Sequence, residues 1–466
     1  MTADNFIPVR GARPEGYQIT NRGFPLGYDL GFIRHCRANL AVACAAMLGV
    51  TATAAAISYP LEVLPPEHRR LTDPKTGAEL LFLTTAPGKD ANLYFHEYSW
   101  LADESVILFT SSRTNGGLTG YVTATGELIR LQTPTGPLGG ASAAAKGNAF
   151  YAVRGRSIVE IQLAIAASES PATRPSRVTA TERVLWTLTD GSPCTSLNPS
   201  CDGKYLALGV TGFGDPTRGP TICKLNIKTR KLSDICRLPP QPSFGGHVQW
   251  SRTNPHLLSF AGGRGPTGDI AGPVRHSPGP EDYAGRGQRL WVVDIRDGIP
   301  RNVYVADEGE LVTHESWWTH DQLLFCGGKS PKPAELSHVK VLNIYTGEVR
   351  IAGAGAWWPE ATAAEAARWN WWHVAGTTDG RWIAADNWHG DIMLFEGKTT
   401  RPHLLTAGHR TYGQGEHPHV GWDRKGEKVI FTSNLLGDPN VCVATIPKAW
   451  QSMVTANDDG LGRKGR

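Results

Sequence analysis

The sequence predicts an all-β protein, a seven-bladed β-propeller of four-stranded antiparallel blades. A polar turn followed by a short apolar strand recurs seven times along the 466-residue chain, at about the spacing of propeller blades. Helical periodicity is nearly absent. The 53 glycines and 32 prolines make the chain rich in turns. A β-sandwich, the alternative all-β fold, would not give seven equivalent copies.

Each copy consists of a turn, an apolar strand, a loop, a second strand and a short final strand. The apolar strands that begin the copies span 101–109, 147–153, 202–208, 254–260, 320–325, 379–385 and 425–431. The last copy is one strand short, and an apolar strand at 78–84 could complete it. We therefore expect a propeller domain over 72–448, closed by this N-terminal strand.

The N-terminal region has the features of an export signal. A basic stretch precedes an apolar core at 38–50, and small residues at 51–56 resemble a cleavage site. We expect a signal peptide over 1–56, cleaved near Ala56, and a periplasmic or secreted mature chain without stable membrane insertion. A buried alanine-rich helix is the alternative interpretation.

The regions flanking the expected propeller carry weaker signals. Residues 57–71 are rich in proline and are expected to form a linker, and residues 449–466 are expected to form a flexible tail.

Two pairs of cysteines could form disulfides. Cys223 and Cys236 flank a predicted hairpin and would then lie opposite each other on neighbouring strands. Cys194 and Cys201 are a second possible pair.

Charge narrows the range of partners. The formal net charge is only +4, and no block of like charge occurs. Both observations argue against nucleic acid as a partner. A mildly basic chain remains compatible with an anionic substrate.

A segment near the C-terminus has the spacing of a metal site. It reads Gln414-Gly-Glu-His417-Pro-His419. Two histidines one residue apart point the same way in an extended backbone, and Pro418 favours a strand start or an edge. Imidazole nitrogen and amide oxygen are common metal ligands. A solvated turn is the alternative.

Other histidines occupy the same place in the repeat, just before the first apolar strand of a unit. They are His247, His314 and His373. Equivalent positions in a propeller form a ring around the central channel. These side chains and the His-Pro-His segment are therefore expected to converge at one mouth. A purely structural role for a recurring His-x-x-Trp pattern stays open for His247 and for Trp317.

The order of these motifs resembles the oligogalacturonate lyase family over about residues 72–447. The motifs are Asp73-Pro-Lys-Thr-Gly77, His247-Val-Gln-Trp250, Arg289-Leu-Trp291, His314-Glu-Ser-Trp317, Trp372-His373, Asp379-Gly380, His409 and Gln414-x-x-His-Pro-His419. The resemblance implies a seven-bladed propeller. It also implies β-elimination of short α-1,4-galacturonides with a divalent metal, typically manganese.

The resemblance also implies roles for individual residues. His314 would be the catalytic base, and Arg289 would contact the anionic uronate and assist catalysis. The implied metal ligands are His373, Gln414, His417 and His419.

Further side chains could contact the sugar. We add His247, Trp317 and Trp372 to Arg289 as expected substrate contacts, with packing between blades as the alternative for the tryptophans. Glu315 or Asp386 could orient a histidine.

The sequence departs from the pattern of this family in two respects, and these departures leave open which polymer is the substrate. The family is usually cytoplasmic, whereas this chain has export character, and Val420 stands where a proline is common. Exported propeller lyases acting on ulvan share this architecture. A non-catalytic periplasmic scaffold of the Tol type is the alternative function. A hydrolase is not favoured, because no Gly-x-Ser-x-Gly element occurs.

Overall fold

The protein is a seven-bladed β-propeller, as the sequence predicts. The computed structural model describes residues 56–114, 117–215, 217–238, 246–262, 289–306, 310–328, 337–353, 371–387, 389–411 and 417–461. Seven antiparallel sheets of four or five strands occur within this part of the chain. We number these sheets as blades 1 to 7 in chain order.

The first three blades follow one another along the chain. Blade 1 contains β5 (Asp90–Asn92), β6 (Val106–Ser111), β7 (Gly117–Val122) and β8 (Leu128–Arg130). Blade 2 contains β9 (Gly139–Ala143), β10 (Ala149–Arg154), β11 (Ser157–Ala166) and β12 (Arg177–Thr187). Blade 3 contains β13 (Ser192–Pro193), β14 (Asn198–Pro199), β15 (Tyr205–Thr211), β16 (Thr221–Asn226) and β17 (Lys231–Arg237).

The next three blades each have four strands. Blade 4 contains β18 (Gly246–Trp250), β19 (Leu257–Ala261), β20 (Leu290–Asp294) and β21 (Pro300–Asn302). Blade 5 contains β22 (Thr313–Trp317), β23 (Gln322–Gly327), β24 (His338–Asn343) and β25 (Val349–Gly353). Blade 6 contains β26 (Trp371–Gly376), β27 (Trp382–Asn387), β28 (Ile392–Glu396) and β29 (Pro402–Thr406).

Blade 7 combines both ends of the described chain. Its C-terminal strands are β30 (Gly421–Trp422), β31 (Lys428–Ser433) and β32 (Asn440–Thr445). Strand β4 (Glu79–Phe82) pairs with β32, with Leu80 opposite Ala444. The predicted N-terminal strand thus completes the last sheet, and closure of the ring through it stays a prediction.

Turn chemistry explains why the strands end where they do. Gly126 and Gly347 each follow a threonine between the third and fourth strands of a blade, and both have positive φ, 79° and 72°. Their N–H groups donate to the carbonyls of Val122 and Asn343. A residue with a side chain would be strained in this left-handed conformation, so glycine sets the reversal.

The core lies between the blades. Every residue of β19 and of β28 is buried, because each blade packs against a neighbour on both of its faces. Central strands therefore read as continuous apolar runs rather than as alternating patterns.

The prediction of a linker at 57–71 is wrong, because this segment forms three strands at the outer edges of the sheets. They are β1 (Ile57–Pro60), β2 (Glu62–Leu64) and β3 (Arg69–Thr72). Strand β1 pairs with β12 of blade 2, β2 with β8 of blade 1, and β3 with β4 of blade 7. We call this segment the N-terminal strap. Its backbone extends three sheets whose outer edges would otherwise be unpaired.

The expected flexible tail at 449–466 is also largely replaced by regular structure. Helix α1 (Lys448–Leu461) follows blade 7. Trp450 and Val454, four residues apart on one helix face, pack against the apolar cluster between blades 6 and 7.

Neither predicted disulfide forms. Cys223 lies opposite Asp234, and Cys236 lies opposite Ile222, so the two cysteines are not partners across the hairpin. The cysteines are free thiols, and so are Cys194 and Cys201.

The expected signal peptide falls almost entirely outside the described residues. Within the described part of the chain, no helix has the length and apolar character needed to cross a bilayer.

Candidate metal centre and active site

Three innermost strands present a histidine at the same point of the blade. The pairing of the first two strands shifts register next to His247 in blade 4, His314 in blade 5 and His373 in blade 6. A bulge bends the strand locally and redirects a side chain. The repeated bulge therefore explains why these three imidazoles leave the sheet and meet at the channel mouth.

Some of these histidines have an uncommon backbone conformation. His247 and His314 have φ values of 53° and 51°, and His419, just before β30, has a φ of 51°. A left-handed conformation at a residue other than glycine costs on the order of 1–3 kcal/mol. Three of the histidines at this mouth share this conformation.

His373, His417 and His419 form a group suited to a metal ion. Their candidate ligand nitrogens all lie within 4.8 Å of one another. Burial lowers the pKa of each of these imidazoles, so that the neutral, ligating form predominates at neutral pH. Three imidazoles suit zinc or iron, and the amide oxygen of Gln414, predicted as a fourth ligand, would make the set suitable for manganese as well.

Asp386, on β27, fixes the orientation of this group. Its carboxylate accepts hydrogen bonds from the backbone N–H groups of His373, at 2.9 Å, and His419, at 3.0 Å. It also lies 2.9 Å from Nδ1 of His373. Because Nδ1–H donates to the carboxylate, Nε2 is the nitrogen that would act as a ligand. Burial raises the pKa of Asp386 to about 6, although the two backbone donors oppose that rise.

Arg289 and His247 share a buried carboxylate. Nε of Arg289 lies 2.8 Å from Oε2 of Glu315, and Nδ1 of His247 lies 3.0 Å from Oε1. Burial acts to raise the pKa of Glu315, but the charge of Arg289 and the hydrogen bonds from Arg289 and His247 outweigh it and hold the pKa at about 2. The ionised carboxylate can only accept, so His247 donates through Nδ1.

His314 lies beside the three-histidine group. Its ring centroid is 4.1 Å from that of His373 and 5.0 Å from the nearer ring of Trp372. Nδ1 of His314 lies 3.0 Å from the hydroxyl of Thr313. Burial and the neighbouring His373 lower the pKa of His314 well below its usual value. The imidazole is therefore neutral and able to accept a proton.

Sequence reasoning missed a segment of blade 1 that completes the ring of side chains. Tyr94 donates its hydroxyl to Nε2 of His247 at 3.2 Å, and its ring lies 4.7 Å from that of His419. His96 lies 5.2 Å from His247. The stretch from Tyr94 to Trp100 occupies the place of His247 to Trp250 in the repeat. It is three residues longer, so alignment of the copies by their final tryptophan would have matched His247 to Glu97 rather than to Tyr94 or His96.

The structure brings together most of the side chains predicted for the site. They are His247, Arg289, His314, Trp372, His373, His417 and His419. Gln414 lies outside the described residues. The prediction that Trp317 contacts the sugar at this mouth is wrong. Its indole is buried between blades 4 and 5, and the indole N–H donates to the carbonyl of Gln249.

His409, part of the motif order, has a structural position. Nε2 lies 2.7 Å from the hydroxyl of Thr406, and Nδ1 lies 2.7 Å from that of Ser433. Burial lowers the pKa of His409 to about 3.

Comparison with known proteins reveals a shared fold at low sequence identity. No protein-family model and no curated protein matches the chain. An oligogalacturonate lyase solved in complex with manganese superposes with a TM-score of 0.61 at 17% identity, over 84% of this chain and 99% of that one. An oligogalacturonate lyase from Vibrio parahaemolyticus gives a TM-score of 0.61 at 16% identity, over 84% and 100%. At such identities the likeness shows the fold alone.

Proposed function

We propose that the chain is a lyase that cleaves short uronate oligosaccharides, of the oligogalacturonate type, by metal-assisted β-elimination. The observation that carries the proposal is the grouping of His373, His417 and His419 within 4.8 Å, beside the neutral imidazole of His314. The two similar solved structures named oligogalacturonate lyases, one with manganese, support the same reaction and metal.

The reaction requires removal of a weakly acidic proton. That proton lies on carbon 5 of the uronate, next to the carboxylate. A divalent ion, when bound, supplies Lewis-acid stabilisation of the charge that develops on the carboxylate. His373, His417 and His419 would hold the ion, with Gln414 as the expected fourth ligand.

His314 is the proposed base. Its Nδ1 contacts Thr313, which leaves Nε2 to accept the carbon 5 proton. The electron pair of the C–H bond then forms the double bond between carbons 4 and 5. The bond from carbon 4 to the glycosidic oxygen breaks, and the departing oxygen keeps the electron pair of this bond and takes up a proton from water. A general base of this kind contributes about 10²–10⁴-fold to the rate.

Arg289 is proposed to grip the substrate carboxylate. Glu315 engages Nε of Arg289, so the guanidinium is fixed in direction before substrate arrives. A fixed guanidinium can offer two parallel hydrogen bonds to a carboxylate. Trp372, half-buried beside His314, is proposed as a sugar contact.

His247 is the rival for the role of base. Its two ring nitrogens already contact Glu315 and Tyr94. An imidazole with both nitrogens engaged has no lone pair for the substrate, so the hydrogen bonds favour His314.

We also propose that the mature protein is periplasmic or secreted. The apolar core at 38–50 and the small residues that follow it support export.

Incubation with oligogalacturonate tests the proposal. The purified chain, supplied with manganese, should generate the ultraviolet absorbance of an unsaturated uronate, and a chelator should abolish the increase. Ulvan oligosaccharides in a parallel reaction distinguish the polymer. A protein that binds manganese yet forms no unsaturated product from either substrate would point to the scaffold alternative.

A further inference from the structure

The opposite mouth of the central channel contains a second cavity. The histidines lie at the starts of the innermost strands, whereas this cavity is lined by strand ends, including Trp317 of β22 and Gly376 of β26. Its volume is about 190 Å³. That size suits a small molecule rather than a chain of sugars.

Two arginines flank one tyrosine ring in the lining of this cavity. The guanidinium carbon of Arg252 lies 3.8 Å from the ring centroid of Tyr98, and that of Arg424 lies 4.0 Å from it. Two groups of this size at such distances must occupy opposite faces of the ring. The stack fixes both cations.

Backbone carbonyls hold the two arginines in place. Arg252 donates to the carbonyl of His96, and Arg424 donates to the carbonyls of Trp100 and Ala144. Among the described residues, neither guanidinium forms an ion pair. Burial lowers the pKa of Arg424 to about 10, so the group stays cationic at neutral pH.

The acidic side chains in the lining are held in their own turns rather than by the two arginines. Asp423 accepts the backbone N–H of Glu427 at 2.8 Å, and Asp379 accepts the hydroxyl of Thr377 at 2.7 Å. Both carboxylates thus stabilise their own turns.

Glu97 adds a second, independent feature. Only 5% of the Glu97 side chain is exposed, and it lines the cavity. Its Oε1 atom has no hydrogen-bond partner within the described structure. Burial raises the pKa of Glu97 to about 8, so the group is a protonated acid at neutral pH and can donate a hydrogen bond.

We propose that this cavity is a second ligand site, which binds a small anion through a carboxylate or phosphate group. Arg252 and Arg424 supply the positive charge, and Glu97 supplies a donor. The aromatic side chains of Phe95 and Trp422 form apolar walls for the body of the ligand. The inference is independent of the proposed lyase activity.

Phe95 separates this site from the histidine cluster. Its ring lines the cavity and lies 5.5 Å from the ring of His373 and 6.0 Å from that of His314. A bound anion therefore contacts the floor of the metal centre without reaching its nitrogens.

Calorimetric titration of the purified full chain tests the proposal. Inorganic phosphate and monomeric galacturonate are the two probes, and they distinguish a phosphate ligand from a carboxylate ligand. The same titration of the His417→Ala, His419→Ala double variant separates this site from the metal centre. We expect one equivalent of at least one probe to bind in both proteins.

Arg252→Gln supplies the specific variant, and Arg237→Gln supplies a matched control. Arg237 is exposed on β17 and pairs with Asp234. Loss of one charged hydrogen bond should weaken binding by about tenfold or more in Arg252→Gln, with no change in Arg237→Gln. Absence of binding of both probes, or equal weakening in the two variants, would overturn the proposal.

A measurement on the unaltered chain covers the case in which Arg252→Gln does not fold. Phenylglyoxal modifies accessible guanidinium groups, and mass spectrometry locates the modified arginines. The bound probe should slow the modification of Arg252 and leave that of Arg237 unchanged. Modification of Arg252 at the same rate with and without either probe would also refute the site.

Discussion

Asp386→Asn should weaken metal binding while the propeller remains folded. The carboxylate accepts two backbone N–H groups, from His373 and His419, through different oxygens, and it also holds Nδ1 of His373. Asparagine keeps one acceptor oxygen and places an NH₂ group at the other position. One buried backbone N–H then faces a donor, at a cost of about 1–3 kcal/mol. We therefore expect a 10–100-fold loss of metal affinity, the size usual for such outer partners.

The assay is calorimetric titration of chelator-stripped protein with manganese, together with circular dichroism to verify the fold. Asp73→Asn is the matched control. Asp73 is also buried, and it accepts the backbone N–H groups of Lys75, Thr76 and Ala407 rather than those of the proposed metal ligands. This control should lose stability and keep its manganese affinity. Equal affinities of wild type and Asp386→Asn would refute the orienting role of the carboxylate.

Four further outcomes follow from the same geometry. Replacement of both His417 and His419 by alanine should abolish bound metal, measured by elemental analysis, without loss of the β circular-dichroism signal; retained metal would contradict the ligand assignment. His314→Ala should lower turnover by roughly 10²-fold or more while manganese affinity is kept; near-normal turnover would transfer the base role elsewhere. Arg289→Lys should raise KM and lower kcat, because the planar grip is lost in both ground and transition states; unchanged kinetics would exclude a substrate contact. His409, whose pKa falls from about 6.5 to about 3 on folding, should make the free energy of unfolding decrease as pH falls below 6.5, by about 1.4 kcal/mol per unit until pH 3. His409→Gln should flatten that slope in urea titrations, and an unchanged slope would show that other groups cause it.

The sequence repeat made it possible to predict the blades and the convergence of the histidines at one mouth of the channel. Turn and strand signals are local in sequence, so seven copies could be recognised one by one. Equivalent positions in a propeller converge, and this geometry placed His247, His314 and His373 together without any contact being known. The bulge that redirects them had no recognised signal in the sequence.

Other features depended on partners far away in the chain. The N-terminal strap resembles a linker because its strands pair with residues 64 to 125 positions away or, through β4, with the end of the domain. A one-residue shift in the hairpin of Cys223 and Cys236 was enough to abolish the predicted bridge, since neighbouring strand residues point to opposite faces. Trp317 and Trp372 look alike in sequence, and only packing distinguishes the buried ring from the one at the mouth.

The pairing of β4 with β32 has a consequence for the synthesis of the protein on the ribosome. Leu80 can pair with Ala444 only after the ribosome has synthesised the chain between them. At a translation rate of 5–20 residues per second, this synthesis takes roughly 20–70 s. During that interval an apolar strand is exposed without its final neighbour and could recruit another chain. The strand just before it carries Arg69 and Arg70, both exposed in the finished sheet. Their charge opposes association between nascent chains, in the manner of gatekeeper residues beside an aggregation-prone strand. Neutralising both arginines should therefore lower the soluble yield during synthesis more than it lowers the stability of the completed propeller.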